Sequence, residues 1–187
     1  DMFDRNKNPL FHHAQVESFI AKKEGEVVGR ISAIIDDNSN KFHNEKTGFF
    51  GFFEVIEDYE VASALFDKAK EWCVAKDMKV LRGPTNFTTN DECGFLLEGF
   101  DSSPMIMMTY NPKYYLDFAE KYGFKKAKDL YAYYRYAKDG ISERILKLAD
   151  RIKKRGNIKL RYFNIKNFDK ELNNIKDIYN SAWENNW

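Results

Sequence analysis

The sequence predicts an α/β (α+β) fold, a mixed and mostly antiparallel sheet with helices on both faces. Three observations predict it. Two β-branched runs, 16–21 and 27–35, flank Lys23-Glu24-Gly25-Glu26, a turn whose glycine tolerates positive φ, which is the pattern of a β-hairpin. A phenylalanine-rich run at 47–56 places Phe49, Phe50, Phe52 and Phe53 around Gly51, and apolar side chains on both faces mark a central strand covered on both sides. Helical and strand-like patterns then alternate, the order expected of helices packed on a sheet.

The elements follow in order. Residues 1–15 are polar and irregular, with Asn8-Pro9 reading as a turn, and 36–46 reads as a polar loop after the hairpin. Gly51 inside a strand signals a bulge or a close backbone approach by another segment. A helix over 59–77 takes Asp58 as N-cap, with Val61, Leu65, Ala69 and Trp72 as its buried stripe. A short strand at 78–82 stops at Gly83-Pro84. After an aperiodic stretch come a helix at 112–122 capped by Gly123 and a strand at 128–136. An amphipathic helix at 141–155, closed by Gly156, turns Ile145, Leu148 and Ile152 inward and a basic face outward. A strand at 158–165 and a helix at 168–183 finish the chain, the helix aligning Phe168, Leu172, Ile175, Tyr179 and Ala182.

Composition narrows the function classes. The chain has 187 residues, 43% hydrophobic and 32% charged, enough for one domain with a sizeable core or one domain and part of another. Thirty basic and 29 acidic residues leave a net charge of +1, which supplies no global field for nucleic acid or an anionic membrane, and neither is expected as a partner. The 16 Phe and 11 Tyr fall largely in strand-like runs and read as core packing. Cys73 and Cys93 have no CxxC spacing, so free thiols in a reducing compartment are expected, and with no long apolar run or leader pattern the expectation is a cytoplasmic protein. His12, His13 and His43 lack the spacing of a metal site, and no metal is expected.

Over residues 16–137 this order of hairpin, strand, helix, strand, helix and strand resembles the core of the acyl-CoA N-acyltransferase (GNAT) superfamily. Asn111-Pro112-Lys113-Tyr114-Tyr115 at the start of one helix and Gly123-Phe124 at its end look like that family's asparagine-initiated helix with a Gly-Phe finish. The resemblance implies a divergent member that moves an acyl group from acetyl-CoA or another acyl thioester to an amine. The family's usual opening elements have no equivalent before Val16, whereas 159–165 followed by 168–183 looks like such an opening. The expected organisation is therefore a piece of a tandem protein. It has a GNAT-like core at 1–140, a connecting helix at 141–156, and at 157–187 either the start of a second repeat or the completion of the first sheet. A second domain of the same kind, or a second copy of the chain, is the expected macromolecular partner beside a small-molecule substrate.

The implied donor site is Val55, Ile56, Tyr59, Glu60, Val61 and Ala62, where the family's glycine-rich turn and helix N-terminus would receive the pyrophosphate. The chain departs from that pattern: Glu57 stands in place of the cation or amide, Glu60 in place of the first glycine, and only Ala62 fits. Carboxylates beside a diphosphate repel it, although at a helix N-terminus the same residues are favourable caps. Amine acylation needs a general base and a general acid. Glu54 at the end of the aromatic strand is the candidate base. The family's acid tyrosine position is Ala119 here, so Tyr115, one helical turn earlier, and Tyr110 are the candidate acids. Each of these has a plain alternative as a solvated carboxylate or a packing aromatic.

Residues 83–111 form a long loop for a compact domain. Asn86, Asn90, Asp91 and Glu92, with Thr88 and Thr89, precede an apolar patch at Met105, Ile106, Met107 and Met108. Together with Asn111 this set suits a small-molecule pocket, and equally a structural loop with an extra strand at 104–110. Cys93 is a nucleophile only if a base lies beside it. Two functions follow: an N-acyltransferase, or a non-catalytic module of the same fold that binds a ligand or acts as scaffold.

Overall fold

The computed structural model describes residues 2–156 and 161–183, and the chain divides into two compact units, Asp1–Tyr131 and Ala132–Trp187. The first unit holds a four-stranded sheet in the order β1-β2-β3-β4 (Ala14–Lys23, Glu26–Asp36, Thr47–Val55, Val80–Arg82). The first three strands are antiparallel and β4 pairs parallel to β3. This is the mixed, mostly antiparallel sheet that the patterning predicts.

Helix α1 (Asp37–His43) occupies part of the span expected to be loop, because Asp36 caps it by accepting from the Asn38 and Ser39 N–H groups. Its Asn40 side chain bonds both the N–H and the C=O of Thr47, pinning the start of β3. Helix α2 (Tyr59–Ala75) starts at the expected cap. Its buried face is Ala62, Leu65, Phe66, Ala69 and Cys73, so Leu65 and Ala69 lie where the periodicity puts them, while Val61 and Trp72 are only partly buried at its edge. Phe66, which the periodicity did not select, is at its centre.

The core lies on two sides of the sheet. Ile31, Ala33, Ile35, Phe50, Phe53 and Val55 face α2 and α3 (Tyr114–Tyr122). Ile34, Phe49 and Val16 face the 3-10 helix Pro9–His12 and Phe87. Strict alternation would not put Phe50, Phe53 and Val55 on one side. A bulge does: Ser32 pairs with Gly51 but Arg30 with Glu54, so three steps of β3 oppose two of β2, and Phe52 takes a positive φ of 50°. Gly51 is also approached by another segment, since a Cβ there would overlap the Thr85 carbonyl oxygen. Both meanings of a strand glycine hold at one residue. Gly51→Ala is therefore expected to destabilise the first unit by ~3 kcal/mol, read as a lower urea midpoint with an unchanged slope.

Cys73 packs inside this core, and burial pushes its thiol up to about 11 from 9.0. The neutral thiol thus contributes stability that is fully present below the unfolded value and lost as pH rises through the folded one. At pH 8 its alkylation by iodoacetamide should be roughly hundredfold slower than in the unfolded chain. Mass-spectrometric labelling reads this directly, and equal rates would refute it.

Several expected elements differ. Residues 1–15 contain the 3-10 helix and the first residues of β1. No strand forms at 128–136 or at 104–110; both segments run irregularly, and Tyr133 and Ile106 are almost wholly exposed. Of the strand expected at 158–165, residues 158–160 lie outside the described residues, while 161–164 are irregular and lead into the short helix Ile165–Asn167. In the second unit, α4 (Glu143–Lys154) and α5 (Phe168–Trp183) form where the periodicity puts them, but Ile145, Leu148 and Ile152, expected to turn inward, are exposed on α4. There Glu171, buried, pairs with Arg161 at 2.7 Å.

Candidate functional site

Strand β4 pairs only with Thr47, Gly48 and Phe49, so β3 runs on past it. Thr85 and Asn86 follow the β3 edge a little further, the Thr85 N–H donating to the Phe50 carbonyl and the Phe52 N–H to Asn86 Oδ1. At Val55 no strand pairs with this side of β3 among the described residues. The Val55 N–H and C=O would be unpaired there, and α3 supplies their partners.

Helix α3 ends in a Gly123 cap with φ 104°, as Gly-Phe predicts, and its first residues, Tyr114 and Tyr115, reach the β3 edge. The Tyr115 hydroxyl accepts from the Val55 N–H at 2.9 Å and donates to Glu54 Oε2 at 2.8 Å. The Tyr114 hydroxyl donates to the Val55 carbonyl at 2.9 Å. Tyr115 is buried against Phe53 and Phe95. Burial above all, and then the Glu54 carboxylate, raise its hydroxyl far above the ordinary tyrosine value, against an opposing effect of the Val55 N–H. It therefore keeps its proton at neutral pH and holds one Glu54 oxygen in place. Glu54 itself projects toward solvent, with Arg30 4.0 Å from its other oxygen. A fixed, accessible carboxylate can accept a proton from an incoming group.

Of the predicted acid–base residues, the structure brings Glu54 and Tyr115 together and leaves Tyr110 exposed on the long loop. Tyr114 was missed, although the tyrosine doublet was visible; adjacent helical residues point about 100° apart, so the periodicity gives no sign that both hydroxyls reach Val55.

The expected pyrophosphate site is differently arranged. Asp58 accepts from the Glu60 and Val61 N–H groups and pairs with Lys23 at 2.8 Å, a hydrogen bond that, first among several causes, lowers its pKa. The Ala62 N–H closes the first helical turn on the Asp58 carbonyl, and the Ile56 N–H points to the Val28 carbonyl on the β2 side. Tyr59 lies against Phe118 with the Lys121 ammonium over its ring. The N–H groups that a diphosphate would use are thus capped by the chain's own carboxylate, and the residues present do not fit a diphosphate in this arrangement. Lys23 is a second participant the sequence did not single out.

The polar cluster of the long loop is turned on itself. Asn86 donates to Glu92 at 2.9 Å, Thr88 donates to Asp91 at 2.8 Å, and the Asn90 N–H donates to Thr88 Oγ1. Thr85 and Cys93 form an isolated bridge that closes the loop, and burial raises the Cys93 thiol pKa. Asn111, buried, accepts from the Leu96 N–H at 2.7 Å and so anchors the far end of the loop beside α3. His13 sits on Asp36, the α1 cap, at 3.0 Å.

The geometry defines a mixed α/β domain with a hydrogen-bonded Glu54–Tyr115 pair at the end of β3. No family model matches the chain. It is 36% identical over 191 residues to the bacterial ceramide synthase of Caulobacter vibrioides (strain NA1000 / CB15N), an alignment covering 100% of this chain and 49% of that protein. It is 35% identical over 182 residues to Protein YghO of Escherichia coli (strain K12), covering 97% of this chain and 46% of that one. The chain thus spans about half the length of the curated relatives it matches. Among solved structures, the crystal structure of a probable acetyltransferase superimposes with a TM-score of 0.35 at 13% identity, over 71% of each chain.

Proposed function

We propose that the chain is a GNAT-like N-acyltransferase module that joins an acyl group, delivered as a thioester, to the amine of a long-chain amino alcohol. The observation that carries the reaction type is the Glu54–Tyr115 contact at the open end of β3. The substrate class is drawn from the similarity, over the whole of this chain, to a protein named for making ceramide, an N-acylated long-chain amino alcohol.

In this reading the amine attacks the thioester carbonyl, and Glu54 accepts the proton the nitrogen loses. The C–S bond then breaks, the thiolate takes up a proton, and an amide and a free thiol remain. Tyr115 positions Glu54 and holds the strand edge. Because Asp58 caps α2 and leaves no place for a diphosphate there, the donor is defined by its thioester and acyl chain, with acyl groups on a carrier protein as one class and acetyl-CoA and longer acyl-CoA, their diphosphate held away from α2, as another.

A second reading, a non-catalytic module of the same fold, is favoured by the self-capped N-terminus of α2 and by Ala119 in the family's tyrosine position. The test is incubation with sphinganine and either palmitoyl-CoA or palmitoyl carrier protein, with mass spectrometry for the amide and calorimetry for donor binding. Amide formation supports acyl transfer, and the preferred donor identifies the carrier. Donor binding without amide supports the second reading, and neither signal overturns both.

A further inference from the structure

Helix α4 carries an apolar strip that stays open among the described residues of its unit: Ile145, Leu148 and Ile152, at spacings of three and four residues, are all substantially exposed, as is Ile141 just ahead of the helix. Its remaining surface is strongly basic. Five basic and two acidic residues give α4 a net charge of +3, and Arg155 at its C-cap raises this to +4. Since the whole chain carries +1, the other residues together carry −3, so this one turn-bounded stretch holds the chain's positive charge.

The charges are also placed. Arg144, Arg151 and Arg155 recur at helical spacing along one flank of the apolar strip, and Lys147 and Lys154 lie further round. Arginine and lysine stems can lie along an apolar surface while their charged heads reach a polar one. Tyr133, Tyr134 and Tyr136, earlier in the same unit, are exposed as well, and tyrosine is a residue of membrane–water interfaces.

We infer that α4 is an interfacial helix that docks this chain on an anionic lipid surface, its apolar strip among the acyl chains and its basic flanks at the headgroups. An apolar strip on a short, strongly charged helix is the pattern of segments that lie in the interface plane. The positive charge selects anionic lipid over an apolar protein groove, where four net charges would need matching carboxylates. With 12 residues the helix is about 18 Å long, too short to span a hydrocarbon core of about 30 Å, and no described helix is long and apolar enough to cross a membrane. The near-neutral charge of the whole chain, which argues against a global field, does not bear on this local one. The inference stands apart from the acyl-transfer reading.

The test is co-sedimentation of the whole chain with vesicles of phosphatidylcholine alone or of phosphatidylcholine with phosphatidylglycerol, alongside light scattering for oligomeric state. Partitioning should be roughly tenfold or more stronger on the anionic vesicles and should weaken with salt. The double variants Ile145→Glu/Leu148→Glu and Arg144→Glu/Arg151→Glu should each abolish the preference, while circular dichroism and the melting curve of the first unit stay unchanged. Equal binding to both vesicle types, no binding to either, or variants that bind as the parent does would overturn the inference. So would a dimer dissolved by Ile145→Glu without vesicle binding, which would assign the strip to a second copy of the chain.

Discussion

Glu54→Gln is expected to slow amide formation by about 10²–10⁴-fold, the range over which a positioned general base contributes. The substitution isolates the charge. A glutamine carbonyl can still accept the Tyr115 proton, so the hydrogen bond to α3 and the end of β3 should persist. Single-turnover kinetics with saturating donor and amine would read the chemical step, and a melting curve superimposable on the parent would show that the loss is chemical. Raising the pH should partly rescue the variant, because more of the amine is then already deprotonated. Tyr115→Phe should behave differently. It leaves the buried Val55 N–H without its partner, at a cost of ~1–3 kcal/mol, and frees Glu54 to change rotamer, so stability and rate fall together. If Glu54→Gln turns over like the parent, Glu54 is not the base and the non-catalytic reading gains.

Phe66→Ala should be the most damaging single change to the fold, costing ~3–5 kcal/mol, as expected for emptying a fully buried aromatic site. Phe66 stacks on Phe53 at 4.7 Å and meets Phe50, Tyr122 and Phe124 at 5.1–5.5 Å, so it joins α2, β3 and α3 at one point. Since domains are stable by only ~5–15 kcal/mol, this is a large fraction of the total. The expected lowering of Tm is roughly 10–20 °C, measurable by circular dichroism or calorimetry. Because Phe53 also packs on Tyr115 at 5.0 Å, the variant should lose order at Glu54 too, and any activity should fall further than stability alone would require. A change below about 1 kcal/mol would mean that the aromatic cluster is not packed as described.

The two variants draw on different links of one chain of causes. Phenylalanines at 50, 53 and 66 assemble the layer between sheet and helices, and that layer presses α3 onto the free edge of β3. Only then do a carboxylate and a hydroxyl 61 positions apart in sequence come within 2.8 Å. The site is thus a product of packing, and the Glu54–Tyr115 contact depends on that aromatic layer.

What the sequence by itself determined is the local order. The hairpin turn at Lys23-Glu24-Gly25-Glu26, the doubly covered aromatic strand, the Asp58 cap, the Gly123 stop and the helical stripes of α4 and α5 all follow from signals within a few residues of each other. Dihedral preference, capping and periodicity act at that range, so they could be read without knowing the fold. Gly51 was legible as a special position for the same reason, as was the absence of the family's glycines beside α2. Only the tertiary structure decided what these elements do to one another. The bulge that reorients Phe53 and Val55, the capping of the β3 edge by both tyrosines, and the Lys23–Asp58 pair depend on contacts between residues 19 to 60 positions apart. The segment 128–136 shows the limit from the other side. Its alternating aromatics have strong strand preference, but a strand is stable only when its backbone groups pair with an edge, and among the described residues this segment pairs with none.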